Sequence, residues 1–151
     1  MTYLVIGAGP AGLAAVKSFK QAGLPVEAVE RHADLGGQWL YGAESSAVYA
    51  STHLISSKKT TAFADFPMPE EWPAYPGHAQ VLQYLRDFAA HFGLTPLIRF
   101  NTAVQALTCE GEGWRAAFSD GSVKSYAGVV IANGHLTDPL LPKVPGAFSG
   151  R

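Results

Sequence analysis

The chain has 151 residues and a net charge of −1, from eleven lysines and arginines against twelve aspartates and glutamates. This balance provides no basic surface for nonspecific binding of nucleic acid. The sequence contains no apolar run near the ~20 residues that span a bilayer and no signal-peptide pattern. Its single cysteine, Cys109, excludes an internal disulfide and is typical of a reducing compartment. We therefore expect one cytoplasmic globular domain.

The first thirty residues alternate between strand and helix patterns. Tyr3–Ile6 is a short apolar run, typical of a strand that is buried on both faces. Residues 11–21 have apolar side chains every three to four positions, which predicts a helix. Gly23 and Pro25 are expected to end that helix. Val26–Glu30 then returns to a strand pattern, which completes a strand–turn–helix–strand unit.

The rest of the chain predicts a long loop, a second helix and further strands. Residues 31–72 are rich in Gly, Ser, Thr and Pro, and a loop of this length is more often functional than idle. Residues 79–92 have helical spacing, and residues 97–100 predict a short strand. Three small strands joined by Gly-containing turns are expected within residues 104–126, followed by a buried strand at 128–132. The fold class is therefore α/β: a Rossmann-like parallel sheet with helices and a small antiparallel insertion.

A Gly-x-Gly-x-x-Gly sequence joins the first strand to the first helix. Gly7 allows a tight turn, Gly9 lets the backbone approach a pyrophosphate, and Gly12 lets the helix pack on the strand. The pyrophosphate would then lie at the helix N-terminus, where free N–H groups favour negative charge. Glu30, 18 positions beyond Gly12, is placed to accept hydrogen bonds from an adenosine ribose and to repel a 2′-phosphate.

This pattern favours a dinucleotide with an unphosphorylated adenosine ribose, and it does not distinguish FAD from NAD. The alternative is that the glycines only form a turn and Glu30 is a solvated strand end. Metal binding is not expected, because the five histidines are scattered without ligand spacing. Trp39, taken alone, is as typical of packing as of cofactor contact.

Several segments resemble the flavin-containing monooxygenase family, and together they extend over nearly the whole chain. They are GAGPAGL (7–13), VERHADLGGQW (29–39), SSK and FADFPMP (within 56–69), HAQVLQYLRDFAAHFGL (78–94) and VVIANGHLTDPLLPKVPGAFSG (129–150). The resemblance implies FAD as the cofactor, with the Gly-Gly-x-Trp loop beside the flavin and Asn133 in place of a more usual Thr. The predicted cofactor-binding residues are Gly7, Gly9, Pro10, Ala11, Gly12, Glu30, Arg31, Gly37, Gln38, Trp39, His53, Val104, Ala132, Asn133 and Gly134.

One departure from the family pattern concerns the reactive part of the flavin. The family has a Thr-Asn pair before its Ser/Pro-Lys step, and these positions are Leu54 and Ile55 here. The side chain of Ile55 can neither donate nor accept a hydrogen bond. His53 is the nearby candidate for a polar, catalytic group, although a lone histidine is more often structural. This difference bears on the oxygenation step and not on FAD binding.

A second departure concerns completeness. The family signature F-x-G-x-x-x-H begins at Phe148, and the sequence ends at Arg151, after a tail that prolines 139, 142 and 145 make extended. The family places its NADPH-binding turn and the rest of its FAD site beyond this point. We therefore expect residues 1–151 to be a partial FAD-binding domain, inactive alone, without the NADPH domain. Its uncovered sheet edge predicts self-association.

The resemblance also implies a reaction. In the family, NADPH reduces FAD, and O2 adds to give a C4a-peroxyflavin that oxygenates a soft nucleophile such as an amine or a sulfide. The flavin carries this chemistry, so no acid–base dyad or nucleophile triad is required. The sequence has no Cys-x-x-Cys, unlike flavin disulfide reductases, and residues 40–44 differ from the Baeyer–Villiger pattern. The alternatives are a non-catalytic FAD- or NAD-binding module, another FAD-dependent NAD(P)H oxidoreductase, or a degenerate chain that requires a partner.

Overall fold

The computed structural model describes residues 1–137, 140–147 and 150, and it contains two β-sheets. The parallel sheet has the order β3-β2-β1-β7; its strands are β1 (Tyr3–Ile6), β2 (Val26–Val29), β3 (Ile98–Arg99) and β7 (Gly128–Ile131). The antiparallel sheet consists of β4 (Val104–Glu110), β5 (Gly113–Phe118) and β6 (Val123–Tyr126). This arrangement confirms the predicted Rossmann-like class and the three-stranded insertion.

Three α-helices accompany these sheets: α1 (Pro10–Gln21), α2 (Lys58–Thr61) and α3 (His78–His91). The start of α1 at Pro10 follows from the fixed φ of proline, which suits the first helical position. The short α2 lies inside the long predicted loop. The sequence did not predict this helix, because a single turn contains too few residues to show an apolar period. The predicted strand at 97–100 shortens to β3, since Thr95–Leu97 form a 3-10 turn.

Both faces of the parallel sheet are covered. Successive residues of a strand point to opposite faces, so Val5 packs with Leu13 of α1 and Phe88 of α3, all at most 1% exposed. Leu4 points to the other face and packs against the antiparallel sheet, including Phe118. The core therefore holds α1, α3 and the antiparallel sheet in fixed positions around the strand ends.

A polar network attaches the antiparallel sheet to β2. The Glu27 carboxylate accepts hydrogen bonds from Lys124 Nζ at 3.0 Å and from the Tyr126 hydroxyl at 3.1 Å. Arg99 Nε lies 3.3 Å from the same carboxylate. Burial and the Glu27 charge raise the pKa of Tyr126, so its hydroxyl remains a donor at neutral pH. This network lies next to Glu30, because the Glu30 N–H donates to the Arg99 carbonyl at 3.0 Å.

Some predictions cannot be compared with this structure. Phe148, which begins the family signature, and Pro139 in the predicted tail lie outside the described residues. Within the described part of the chain, none of the helices has the length and apolar character needed to cross a membrane.

Candidate functional site: a dinucleotide cleft

A cleft of about 1100 Å³ opens where β1, β2 and β7 end. Ligands of open α/β sheets bind beyond the carboxyl ends of the strands, which is the position of this cleft. Most of the predicted cofactor-binding residues line it: Gly7, Gly9, Pro10, Ala11, Glu30, Arg31, Gly37, Gln38, Trp39, Val104, Ala132, Asn133 and Gly134. The structure thus brings together residues from five separate stretches of sequence.

The glycine turn is packed backbone against backbone. Gly7 has a φ of +100°, and a Cβ there would lie 2.5 Å from the Ala132 carbonyl oxygen. A Cβ on Gly12 would lie 1.9 Å from the Gly7 carbonyl oxygen. Gly12 is not among the described residues that line the cleft, so its requirement for glycine comes from helix–strand packing.

Gly9 differs from its two neighbours in the motif. Its φ of −74° suits any residue, and a Cβ there would meet Gly37 Cα at 3.5 Å, an ordinary contact. The fold therefore tolerates a small side chain at Gly9. A side chain there would, however, occupy the floor of the cleft, where the bare backbone of Gly9 leaves room for a ligand to approach.

The N-terminus of α1 lies at this floor. No side chain caps it, and its first turn contains no acidic residue. Pro10 has no N–H, and Ala11, which lines the cleft, follows it in the first turn. Uncapped N–H groups and the helix dipole stabilise a negative charge at such a position. The local electrostatics are therefore suited to a diphosphate.

Glu30 is buried, with 5% of its surface exposed, and its carboxylate is held on both oxygens. Oε2 accepts a hydrogen bond from the Ala8 N–H at 2.8 Å, and Oε1 accepts one from the His32 N–H at 3.0 Å. Its carbonyl accepts the Thr102 N–H at 2.8 Å. A carboxylate oxygen has two lone pairs, so each retains one for a ribose hydroxyl. The solvated strand end considered from the sequence does not describe this residue.

The second glycine motif lies directly on the first. The Gly36 N–H donates to the Ala8 carbonyl at 2.9 Å, and a Cβ on Gly37 would lie only 3.0 Å from Gly9 Cα. Gly37 has a φ of +56°, which a side chain would strain. Trp39 then packs on the core while also lining the cleft. The two motifs, distant in sequence, form one surface, and Trp39 both packs and faces the cleft.

The segment after β7 provides another part of the cleft. The Ala132 N–H donates to the Ile6 carbonyl at 2.9 Å, which extends the sheet pairing into this segment. Asn133 and Gly134 follow at the exposed mouth of the cleft. Val104 and the exposed Arg31 line the part of the cleft near Glu30.

His53 is not among the described residues that line the cleft, although its neighbour Thr52 is. The His53 side chain is exposed, and its Nδ1 lies 2.7 Å from the Ser51 carbonyl oxygen. Leu54 is buried in the core and Ile55 is fully exposed. The geometry gives no support for a cofactor or catalytic role of His53, which stays a prediction. Among residues 1–137, 140–147 and 150, the side chains of His, Cys, Asp and Glu form no group able to hold a metal.

Sequence reasoning missed one complete wall of the cleft. Ser45, Ala47, Val48 and Tyr49 line it, although they belong to the long loop and carry no motif. Their only signal was the length of that loop, which predicted a function without naming residues. Thr102 and Leu107 were missed as well, because they lie in or beside strands that predict structure alone.

Comparison with known proteins supports this description. The family model for flavin-binding monooxygenase-like proteins matches residues 2–150. The chain is 33% identical over 175 residues to flavin-containing monooxygenase FMO GS-OX-like 5 of Arabidopsis thaliana, covering 96% of this chain and 39% of that protein. The chain therefore spans about two fifths of the length of this relative.

Solved structures give the same result. The structure of S-allyl-L-cysteine S-oxygenase from Allium sativum matches with a TM-score of 0.87 and 27% identity, over 96% of this chain and 39% of that one. An oxidised steroid monooxygenase bound to NADP matches with a TM-score of 0.80 and 27% identity, over 94% of this chain and 28% of that one. The predicted family is confirmed: the chain belongs to the flavin-binding monooxygenase-like proteins.

Proposed function

We propose that this chain is the FAD-binding part of a flavin-dependent monooxygenase that uses NADPH and O2 to oxygenate an amine or a sulfide. The observation that carries the proposal is the meeting of three features in one cleft. These are the bare backbone at Gly9, the uncapped start of α1, and the buried carboxylate of Glu30. Diphosphate and ribose are the two groups that these features fit.

Different residues of the chain would bind different parts of FAD. The backbone of residues 7–11 would face the diphosphate, and Glu30 would accept hydrogen bonds from the ribose hydroxyls. Trp39 and the segment at 132–134 would bound the cleft and exclude water. FAD, when bound, supplies the electron transfer from NADPH and the activation of O2. The protein would contribute the position of the reactants and a water-poor environment. It would need no acid–base pair, because the flavin carries the reaction.

The resemblance to an S-oxygenase supports the sulfide among the two substrate classes. The chain covers 39% of that structure, and we propose that the NADPH-binding domain and the rest of the FAD site belong to a longer enzyme. Self-association through the edge strand β7, whose Ile131 is exposed, and a cytoplasmic location both remain predictions. Light scattering and cell fractionation test them directly.

The FAD assignment is tested with the absorbance spectrum of the purified protein after incubation with FAD and desalting. We expect retained flavin bands in the unchanged protein and none in Gly9→Val, since a branched side chain would occupy the cleft floor and block the diphosphate. Ala90→Val, on the exposed face of α3, is a matched control that should retain flavin. Equal retention by Gly9→Val would contradict the proposal, and displacement of FAD by NAD would favour an NAD-binding module.

A further inference from the structure

We propose that Gln38 is a positioning residue whose side-chain amide fastens residues 45–47 as a wall of the cleft. The residue was expected to bind the cofactor, because it lies in the Gly-Gly-x-Trp loop. This inference rests on the proposed function, in which the cleft holds FAD. It adds to that function an account of how the loop that lines one side of the cleft is held in place.

Both polar groups of the Gln38 side-chain amide form hydrogen bonds with the loop. Its Nε2 donates to the Ser45 carbonyl at 2.8 Å, and its Oε1 accepts the Ala47 N–H at 2.7 Å. Nε2 also lies 3.5 Å from the Leu136 carbonyl oxygen, at the outer limit of hydrogen-bond distance. A primary amide has two donor hydrogens and one acceptor oxygen. One donor hydrogen and the acceptor oxygen of the amide are therefore used by Ser45 and Ala47, within the loop itself.

The main chain of Gln38 takes part in the same attachment. The hydroxyl of Ser46 donates to the Gln38 carbonyl at 2.7 Å and accepts the Val48 N–H at 3.3 Å. Two further contacts hold this segment: Ser45 Oγ lies 2.8 Å from His32 Nε2, and the Ser46 N–H donates to the Ala43 carbonyl at 2.9 Å. The backbone and side chain of Gln38 thus form hydrogen bonds with three consecutive residues, 45–47.

These bonds matter because residues 45–48 belong to no helix or strand. A segment without a ladder of backbone hydrogen bonds depends on such side-chain anchors for much of its order. Ser45, Ala47 and Val48 all line the cleft. Loss of the anchor would let this wall move, and a ligand would then have to order the wall when it binds, at a cost in affinity.

The test replaces Gln38 with methionine, which has similar length and lacks both amide groups. We expect FAD affinity to fall about tenfold, which is the loss of one to two well-placed hydrogen bonds. In the protein without cofactor, the Ala47 amide should lose most of its protection from hydrogen exchange, measured by NMR. The Leu13 amide, which donates to Gly9 inside α1, should keep its protection. Gln83→Met, on the exposed face of α3, is the matched control and should change neither quantity.

A second variant separates positioning from a direct contact. Gln38→Glu keeps an acceptor for the Ala47 N–H but places an oxygen against the Ser45 carbonyl. We expect Ala47 to be better protected in this variant than in Gln38→Met. Unchanged Ala47 exchange in Gln38→Met, together with weaker FAD binding, would overturn the inference and assign a direct contact. Absence of FAD binding by the unchanged protein would contradict the proposed function and leave the exchange result as an independent test of the attachment.

Discussion

Two of the walls of the cleft are built in different ways. The glycine wall, formed by residues 7–11 with Glu30 and backed by Gly12, is held by backbone contacts so close that a Cβ on Gly12 would lie 1.9 Å from a carbonyl oxygen. The loop wall, formed by residues 45–49, is held by side-chain hydrogen bonds to Gln38 and His32. Backbone packing demands particular residue types at fixed spacing, whereas side-chain anchors can come from many residue types. The first wall is therefore visible in a sequence, and the second is not.

The largest expected effect is in the glycine wall, with Gly12→Ala. The added methyl group would collide with backbone, which cannot rotate away as a side chain can. We expect the free energy of unfolding to fall by about 3 kcal/mol or more, the upper end of overpacking effects. Urea unfolding followed by circular dichroism measures this loss.

Gly9→Ala is the control for that experiment, because it lies in the same turn and its methyl group would make only an ordinary contact at 3.5 Å. Its free energy of unfolding should change by less than about 1 kcal/mol. If Gly12→Ala unfolds at the same urea concentration as Gly9→Ala, the close packing of α1 on β1 does not decide stability.

The next effect concerns the charge within the glycine wall. In Glu30→Gln one carboxylate oxygen becomes an NH2 group, which would face the N–H of either Ala8 or His32. One buried donor then loses its acceptor, and the ribose loses a charged partner. Hydrogen bonds to charged groups contribute about 1.5–3 kcal/mol, so we expect the dissociation constant for FAD to rise by about 10- to 100-fold. Fluorescence titration of FAD provides the measurement.

Glu27→Gln gives the matched comparison, on β2 and three residues before Glu30. Glu27 points into the network with Lys124 and Tyr126 on the side of the antiparallel sheet. Its replacement should lower stability while leaving the FAD dissociation constant within about twofold. An equal loss of FAD affinity in both variants would mean that Glu30 acts through the sheet and not through the ribose.

The sequence was sufficient for most of the fold. The apolar runs at Tyr3–Ile6 and 128–132 predicted buried strands, and both form strands that pair in parallel in the structure. The predicted burial of the second run was wrong, because β7 is an edge strand without a fully buried residue and its Ile131 is exposed. The boundaries of α1 and α3 were within one residue, because Gly23 and Gly93 end them through positive φ values of 69° and 59°. These features depend on local chemistry, which a sequence carries in neighbouring residues.

Other features depend on contacts between distant residues, and these could not be predicted. The link from Glu30 to the Ala8 N–H joins positions 22 residues apart. The grip of Gln38 on Ala47 depends on a loop path that has no period and no motif. Gln38 was predicted to bind the cofactor and lines the cleft, but nothing in the sequence indicated its hydrogen-bond partners at Ser45 and Ala47.

The smallest effect should come from Ser46→Ala in the loop wall. This change removes one hydrogen bond to the Gln38 carbonyl and the acceptor for the Val48 N–H, but it leaves both bonds of the Gln38 amide. A single hydrogen bond contributes about 1 kcal/mol; because the segment opens locally, global stability should not change. We expect FAD affinity to fall by about two- to fivefold, measured by fluorescence titration, with Ser18→Ala on α1 as the control. A loss as large as that of Glu30→Gln would mean that the loop wall contacts the cofactor as tightly as the glycine wall does, and the difference between the two walls would disappear.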